Sequence, residues 1–166
     1  MKNILLVPAI ICIAILTACA TAGQKYITLS YTGSAKSTAA GSIGISNFID
    51  KRSDVSKAQI GYQVLLDNSQ ETYLVSGMDV SQAIKNTVDQ YLTKSGFQIQ
   101  KIPAWELTAE GVSAISGDFS YIVTGAVNQF ECRAKKKGPH TAMILDIDLT
   151  LYVGTPANGT LKTIPV

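Results

Sequence analysis

Thr141-Ala142-Met143-Ile144-Leu145-Asp146-Ile147-Asp148-Leu149-Thr150-Leu151-Tyr152-Val153 alternates more strictly than any other stretch of the chain. Met143, Leu145, Ile147, Leu149, Leu151 and Val153 share one side, and Ile144, Asp146, Asp148, Thr150 and Tyr152 share the other. That is the pattern of a strand with one core face and one partly wet face. Upstream, Ser120 to Ala134 is also strand-like, and Lys135-Lys136-Lys137-Gly138-Pro139 reads as the turn that makes the two a hairpin. The register stays open: Gln129 and Glu131, or Phe130 and Cys132, face the apolar side according to a one-residue slip. Downstream, Pro156-Ala157-Asn158-Gly159 is a second turn, and Thr160 to Val166 returns as a short partner strand.

Before the hairpin lies the strongest helix signal. Val80, Ala83, Ile84, Thr87, Val88, Tyr91 and Leu92 recur at helical spacing, with Lys85, Asn86, Asp89, Gln90 and Lys94 facing away. Asp79 is placed to cap its start with Gln82 reaching back, and Gly96 followed by Phe97 closes its end. Further strands are expected at Tyr26 to Tyr31, Ser42 to Ile49, around Ile60 to Leu66, at Tyr73 to Val75 and from Phe97. A turn is expected at Asp67-Asn68-Ser69, and Pro103 to Gly117 is a connection with room for a helical turn. The expected fold class is α+β: a mostly antiparallel sheet with an amphipathic helix packed on one face, after an N-terminal lipoprotein signal peptide.

That leader opens with Met1-Lys2-Asn3 and continues as an apolar run from Ile4 to Leu16, interrupted only by Pro8. A membrane-spanning helix needs about 20 apolar residues, whereas a secretory core needs roughly 7–15 and ends in small residues. The run has the shorter length. Its close, Leu16-Thr17-Ala18-Cys19, resembles the lipobox of bacterial lipoproteins, in which the cysteine receives a diacylglycerol, the chain is cut before it, and its amine is acylated. The resemblance implies residues 1–18 as signal peptide, 19–25 as a lipidated tether and 26–166 as a single α+β periplasmic domain. Ala20 stands where Asp would retain an enteric lipoprotein in the inner membrane, which implies a lipid-anchored place on the outer membrane, facing the periplasm.

Composition narrows the function classes. Lys and Arg number 14, of which Lys2 leaves with the leader, against 12 acidic residues; that near-balance argues against nucleic acid as a partner. Of three cysteines, Cys12 leaves with the leader, Cys19 carries lipid, and Cys132 alone remains in the folded part, where a leftover thiol permits an intermolecular bridge but reads more readily as a small buried apolar residue. No catalytic residue, cofactor site or metal site stands out. Asp146 and Asp148 are neighbours on one strand face, where paired carboxylates could do acid–base work or hold a cation but also solvate an outer face. His140, the only histidine, has no nucleophile or fellow ligand nearby in sequence. Lys135, Lys136 and Lys137 form the one dense basic cluster, able to meet an anionic lipid surface or an acidic partner. Asp50 and Arg52 could form an ion pair or a turn.

The lipobox at Cys19, the Asp50-Lys51-Arg52 cluster, the helix of Asp79 to Ser95 closed by Gly96-Phe97, and the hairpin of Ser120 to Val153 together resemble the YajG-like lipoproteins of Gram-negative bacteria. That family has no established biochemical activity. It continues into another strand and a C-terminal helix where this chain stops at Val166, so truncation at the C terminus is one alternative. The leading functional expectation is a non-enzymatic, outer-membrane-anchored periplasmic lipoprotein that binds an envelope partner, with Lys135, Lys136 and Lys137 as a contact surface. The alternative is an accessory lipoprotein of an envelope lipid or solute transport system. Both need the anchor, since one acyl chain holds a membrane only marginally and two hold it stably. Replacing Cys19→Ala is expected to leave an unprocessed, unacylated precursor, read as a larger band without palmitate label in envelope fractions.

Overall fold

A computed structural model describes residues 23–34, 41–53 and 55–166; the signal peptide and Cys19 lie outside these. Nine strands are formed among them: β1 (Gln24–Ile27), β2 (Ser42–Ile45), β3 (Ile49–Asp50), β4 (Gln59–Val64), β5 (Gln70–Val75), β6 (Gln98–Lys101), β7 (Tyr121–Lys137), β8 (His140–Thr155) and β9 (Thr160–Pro165). Helix α1 (Val80–Lys94) separates β5 from β6, and the short α2 (Ala109–Ser113) precedes β7.

The 17-residue β7 is the spine. Along one edge it takes β2, β3 and β4 in succession, every one parallel to it. Its other edge carries β8, antiparallel from Ile122 opposite Gly154 to Lys137 opposite His140. Outside these, β6 lies parallel to β2 and β1 parallel to β5, while β5 runs antiparallel to β4 and β9 to β8. The expectation of a mostly antiparallel sheet with a packed helix is therefore corrected: among the described residues 47% are strand and 17% helix, in a curled mixed sheet forming a half-barrel. The alternation used in the sequence reading gives each strand two faces but no direction for its partner. The parallel pairings join segments far apart in the chain.

A bulge settles the hairpin register. The β7–β8 pairing shifts between Val127 and Gln129, and the extra residue, Asn128, donates from its amide to Asp148 Oδ1 at 3.1 Å and Thr150 Oγ1 at 3.0 Å. Beyond the shift, Phe130, Cys132 and Ala134 continue the face begun by Val123, Gly125 and Val127. Phe130 and Cys132 thus face the apolar side. The turn is tighter than the sequence suggested: all three lysines are in β7, and Gly138-Pro139 alone makes the connection. Gly138 takes φ +60° at the first central position, as a type II′ turn requires.

The main core joins Ile43, Ile45, Phe48, Ile60, Tyr73, Val75, Val123 and Val127 from the sheet to Val80, Ala83 and Ile84 of α1. Each buried Val or Ile contributes about 1.5–3 kcal/mol. Gly96, at φ +95°, ends α1; Phe97 N–H donates to Leu92 O at 3.2 Å and Gly96 N–H to Thr93 O at 3.0 Å, the paired bonds of a Schellman close. The start differs from expectation, because Asp79 is extended but makes no side-chain cap bond. Lys85 also differs: it is buried, its charge held by Asp89 one turn on at 2.5 Å. On the sheet's opposite side, Ile102, Val112 and Ile122 form a second cluster with Trp105, Ile115, Phe119 and Leu161 around it.

Gly61 is where β4 meets the spine. It has φ +146°, and a Cβ there would stand 1.8 Å from the carbonyl oxygen of Cys132. Gly61→Ala is therefore expected to destabilise the fold by roughly 3 kcal/mol or more, read as a lower urea midpoint than the parent chain.

Candidate functional site

The apolar face of β8 is not uniformly covered. Leu149, Leu151 and Val153 pack against the main core, whereas Met143, Leu145 and Ile147, on the same face nearer the turn, remain 63%, 54% and 43% exposed. There the curled sheet borders an open groove of about 690 Å³. Its wall on the β1 side is Tyr26, Ile27 and Leu29; Ile60, Tyr73, Phe130 and Cys132 line it from β4, β5 and β7, and Met143 and Leu145 close the β8 side. The volume falls within the 300–1,000 Å³ of small-molecule sites, and the lining is of the mainly apolar kind such sites share.

Polar groups gather at one wall. Tyr73 donates its hydroxyl to the buried Gln63 Oε1 at 2.6 Å, and Lys25 Nζ donates to the same oxygen at 3.4 Å while pairing with Glu71 at 2.5 Å. Burial pushes the Tyr73 hydroxyl above its ordinary pKa, so it stays a neutral donor. Burial likewise raises the Cys132 thiol, which disfavours the nucleophilic thiolate and makes this cysteine part of the wall.

The residues singled out from the sequence fall in different places. Cys19 lies outside the described residues. The three lysines divide by strand parity: Lys136 follows Cys132 and Ala134 on the groove face, opposite Thr141, while Lys135 and Lys137 lie on the other face with Tyr62, Val64 and Ile144. Asp146 and Asp148 do not act as a pair, because Arg133 ion-pairs with Asp146 while Asn128 donates to Asp148. That ion pair is the main reason the Arg133 guanidinium sits above its ordinary pKa. His140 is exposed at the start of β8. Among the described residues no three His, Cys, Asp or Glu side chains converge as a metal site, and no helix is long and apolar enough to cross a membrane.

Asp50 and Arg52 form a structural pin. Their side chains are 6% and 5% exposed. Arg52 donates from Nε to Asp50 Oδ1 at 2.9 Å and from NH2 to Asp50 Oδ2 at 2.8 Å, then from NH1 and NH2 to the carbonyls of Gln59 and Lys57. The guanidinium thus clamps the entry of β4 to β3. It also borders a polar cleft of about 310 Å³ with Gln59, Asn128 and Glu131, but four of its five N–H donors are already engaged.

The groove itself carried no motif. Its wall residues come from five separated segments, and the only advance signal was the Met143–Leu145–Ile147 alternation continuing past the length the core needs.

No family model matches the chain, and no curated protein is similar to it in sequence. Among the solved structures similar in fold are two. One is a protein from Xanthomonas campestris assigned to DUF330, 8% identical with a TM-score of 0.48, matching 86% of this chain and 76% of that one. The other is an uncharacterised protein, 13% identical with a TM-score of 0.48, matching 87% of this chain and 77% of that one. DUF330 is an uncharacterised bacterial family, so the likeness assigns no activity. The resemblance to the YajG-like lipoproteins gains nothing from either comparison.

The Arg52 guanidinium, above all through its side-chain bonds, holds the Asp50 carboxyl below the usual carboxylate range against the opposing effect of burial. A depressed folded pKa stabilises above the unfolded value near 3.9, and that contribution is lost as pH falls through the folded value. Asp50→Asn is expected to cost about 3–5 kcal/mol at neutral pH by stranding a buried guanidinium. It should also flatten the loss of stability below about pH 4, measured by urea unfolding at pH 7 and pH 3.

Proposed function

We propose that this chain is a non-enzymatic, outer-membrane-anchored periplasmic lipoprotein whose groove takes up an acyl chain, the accessory component of an envelope lipid transport system. The observation that carries the reading is the apolar groove of about 690 Å³ between β1 and the turn end of the β7–β8 hairpin. An apolar chain transferred from water gains about 0.8 kcal/mol per buried CH₂, and the wall offers it no charge except at the margin. Lys25 and Lys136 stand there, one among the lining residues of β1 and the other on the groove face beyond Ala134. Lys25 is already paired with Glu71, so Lys136 is the cation that suits an anionic headgroup at the mouth.

Of the two sequence expectations, the groove favours the transport accessory over the partner-binding lipoprotein. The lipobox at Cys19 and Ala20 supply the anchor and the outer-membrane address in this reading, and the order of elements supplies the place near the YajG-like family.

Native mass spectrometry of the full chain extracted from envelopes is expected to find a non-covalently held lipid besides the acyl groups on Cys19. Tyr26→Asp, an exposed position that would set a carboxylate against the bound chain, should lower its occupancy about tenfold or more. A parent chain that carries no lipid while crosslinking to one envelope protein would return the partner-binding reading to first place.

A further inference from the structure

The outer edge of β8 is open along half its length. Leu149 exchanges both backbone bonds with Val166, N–H to O at 3.0 and 2.9 Å, so the amide and carbonyl of Leu149 point away from β7. Alternation along an antiparallel strand points those of Thr141, Met143, Leu145 and Ile147 the same way. From Thr150 on, this edge is paired with β9. From His140 to Asp148 no strand of the described residues lies against it. An open edge flanked by exposed apolar side chains is a template for another strand. Here Met143, Leu145 and Ile147 are exposed on the groove face and Ile144, at 56%, on the other.

We infer that the occupant of this edge is a second copy of the chain, paired antiparallel through its own β8 about a two-fold axis at Ile144. The free edge fixes that register. Centred on Ile144, Thr141 meets the partner's Ile147 and Met143 meets the partner's Leu145, so each of the four residues with outward backbone groups finds one like itself. A centre at Leu145 would set Thr141 against Leu149, which β9 already occupies, and one at Met143 would set Ile147 against Pro139, which has no N–H to give.

Charge agrees with the register. Each hairpin is basic at its tip, Lys135 to Lys137, and net acidic five to ten residues from the turn, where Glu131, Asp146 and Asp148 outnumber Arg133, which pairs with the first two. Antiparallel pairing lays the tip of one copy along the acidic stretch of the other, with His140 opposite the partner's Asp148. On the groove face the partner's Met143 and Leu145 stand beside Leu145 and Met143, so the two grooves share one apolar floor.

Cysteine crosslinking of the full chain in its envelope membranes tests the pairing. At the axis the two copies of residue 144 form a non-hydrogen-bonded pair with Cα atoms about 4.5 Å apart, inside the 4.4–6.8 Å a disulfide spans. Under mild oxidation Ile144→Cys is expected to give a band of twice the chain mass, at least about fivefold stronger than Thr141→Cys, whose partner is residue 147. The double variant Thr141→Cys with Ile147→Cys should restore the band. The parent chain, which keeps Cys19 and the buried Cys132, sets the baseline. Equal yields at positions 144 and 141, no band at 144, or a band whose mass shows a different protein on the edge would each overturn the inference.

Discussion

Asn128, one extra residue in a 17-residue strand, decides which way half of this protein faces. Side chains on a strand alternate with a period of two, so a regular β7 would put Gln129 and Glu131 where Phe130 and Cys132 stand. The bulge absorbs the mismatch and is held by the bonds of Asn128 to Asp148 and Thr150. On its near side β7 completes the main core with α1. On its far side the same face, with Phe130 and Cys132, has no helix above it among the described residues and lines the groove.

The division of labour along the hairpin follows from what covers it. Val80, Ala83 and Ile84 of α1 sit in the main core, with Leu149, Leu151 and Val153 of β8 packed around it. Toward the turn the described residues supply no such cover, yet the sequence keeps the apolar alternation going through Ile147, Leu145 and Met143. β1 reaches across by pairing parallel with β5, and the groove is the space it leaves. The Asp50–Arg52 clamp holds the start of β4, and Gly61 lets β4 come close to the spine. Both therefore set the groove's far wall without touching what would fill it.

Much of this was legible residue by residue. The close of α1 at Gly96 and Phe97 was, because a left-handed cap has a local chemical signature. So were the two faces of β8, whose alternation is longer than any competing pattern. The direction of the pairings was not, since five of the parallel or antiparallel choices depend on which distant segment lies alongside. Lys85 read as a solvated residue because its helical position faces away from the apolar stripe, yet Asp89 one turn later lets its charge be buried. The carboxylates Asp146 and Asp148 read as a pair, and their separate partners, Arg133 and Asn128, were set by the bulge. The groove was illegible for the same reason as the topology, being assembled from five segments with no motif of its own.

Cys132 offers the most direct probe of the central claim, that the far half of the hairpin floors a groove filled by an acyl chain. It lines that groove and is 7% exposed, and Cys19, whose sulfur carries the diacylglycerol in this account, has no thiol to label. The rate of maleimide labelling at Cys132 should fall about tenfold or more when a long-chain fatty acid saturates the full chain, with no change on adding a short-chain acid. A rate that is the same with and without the long-chain acid would contradict the account.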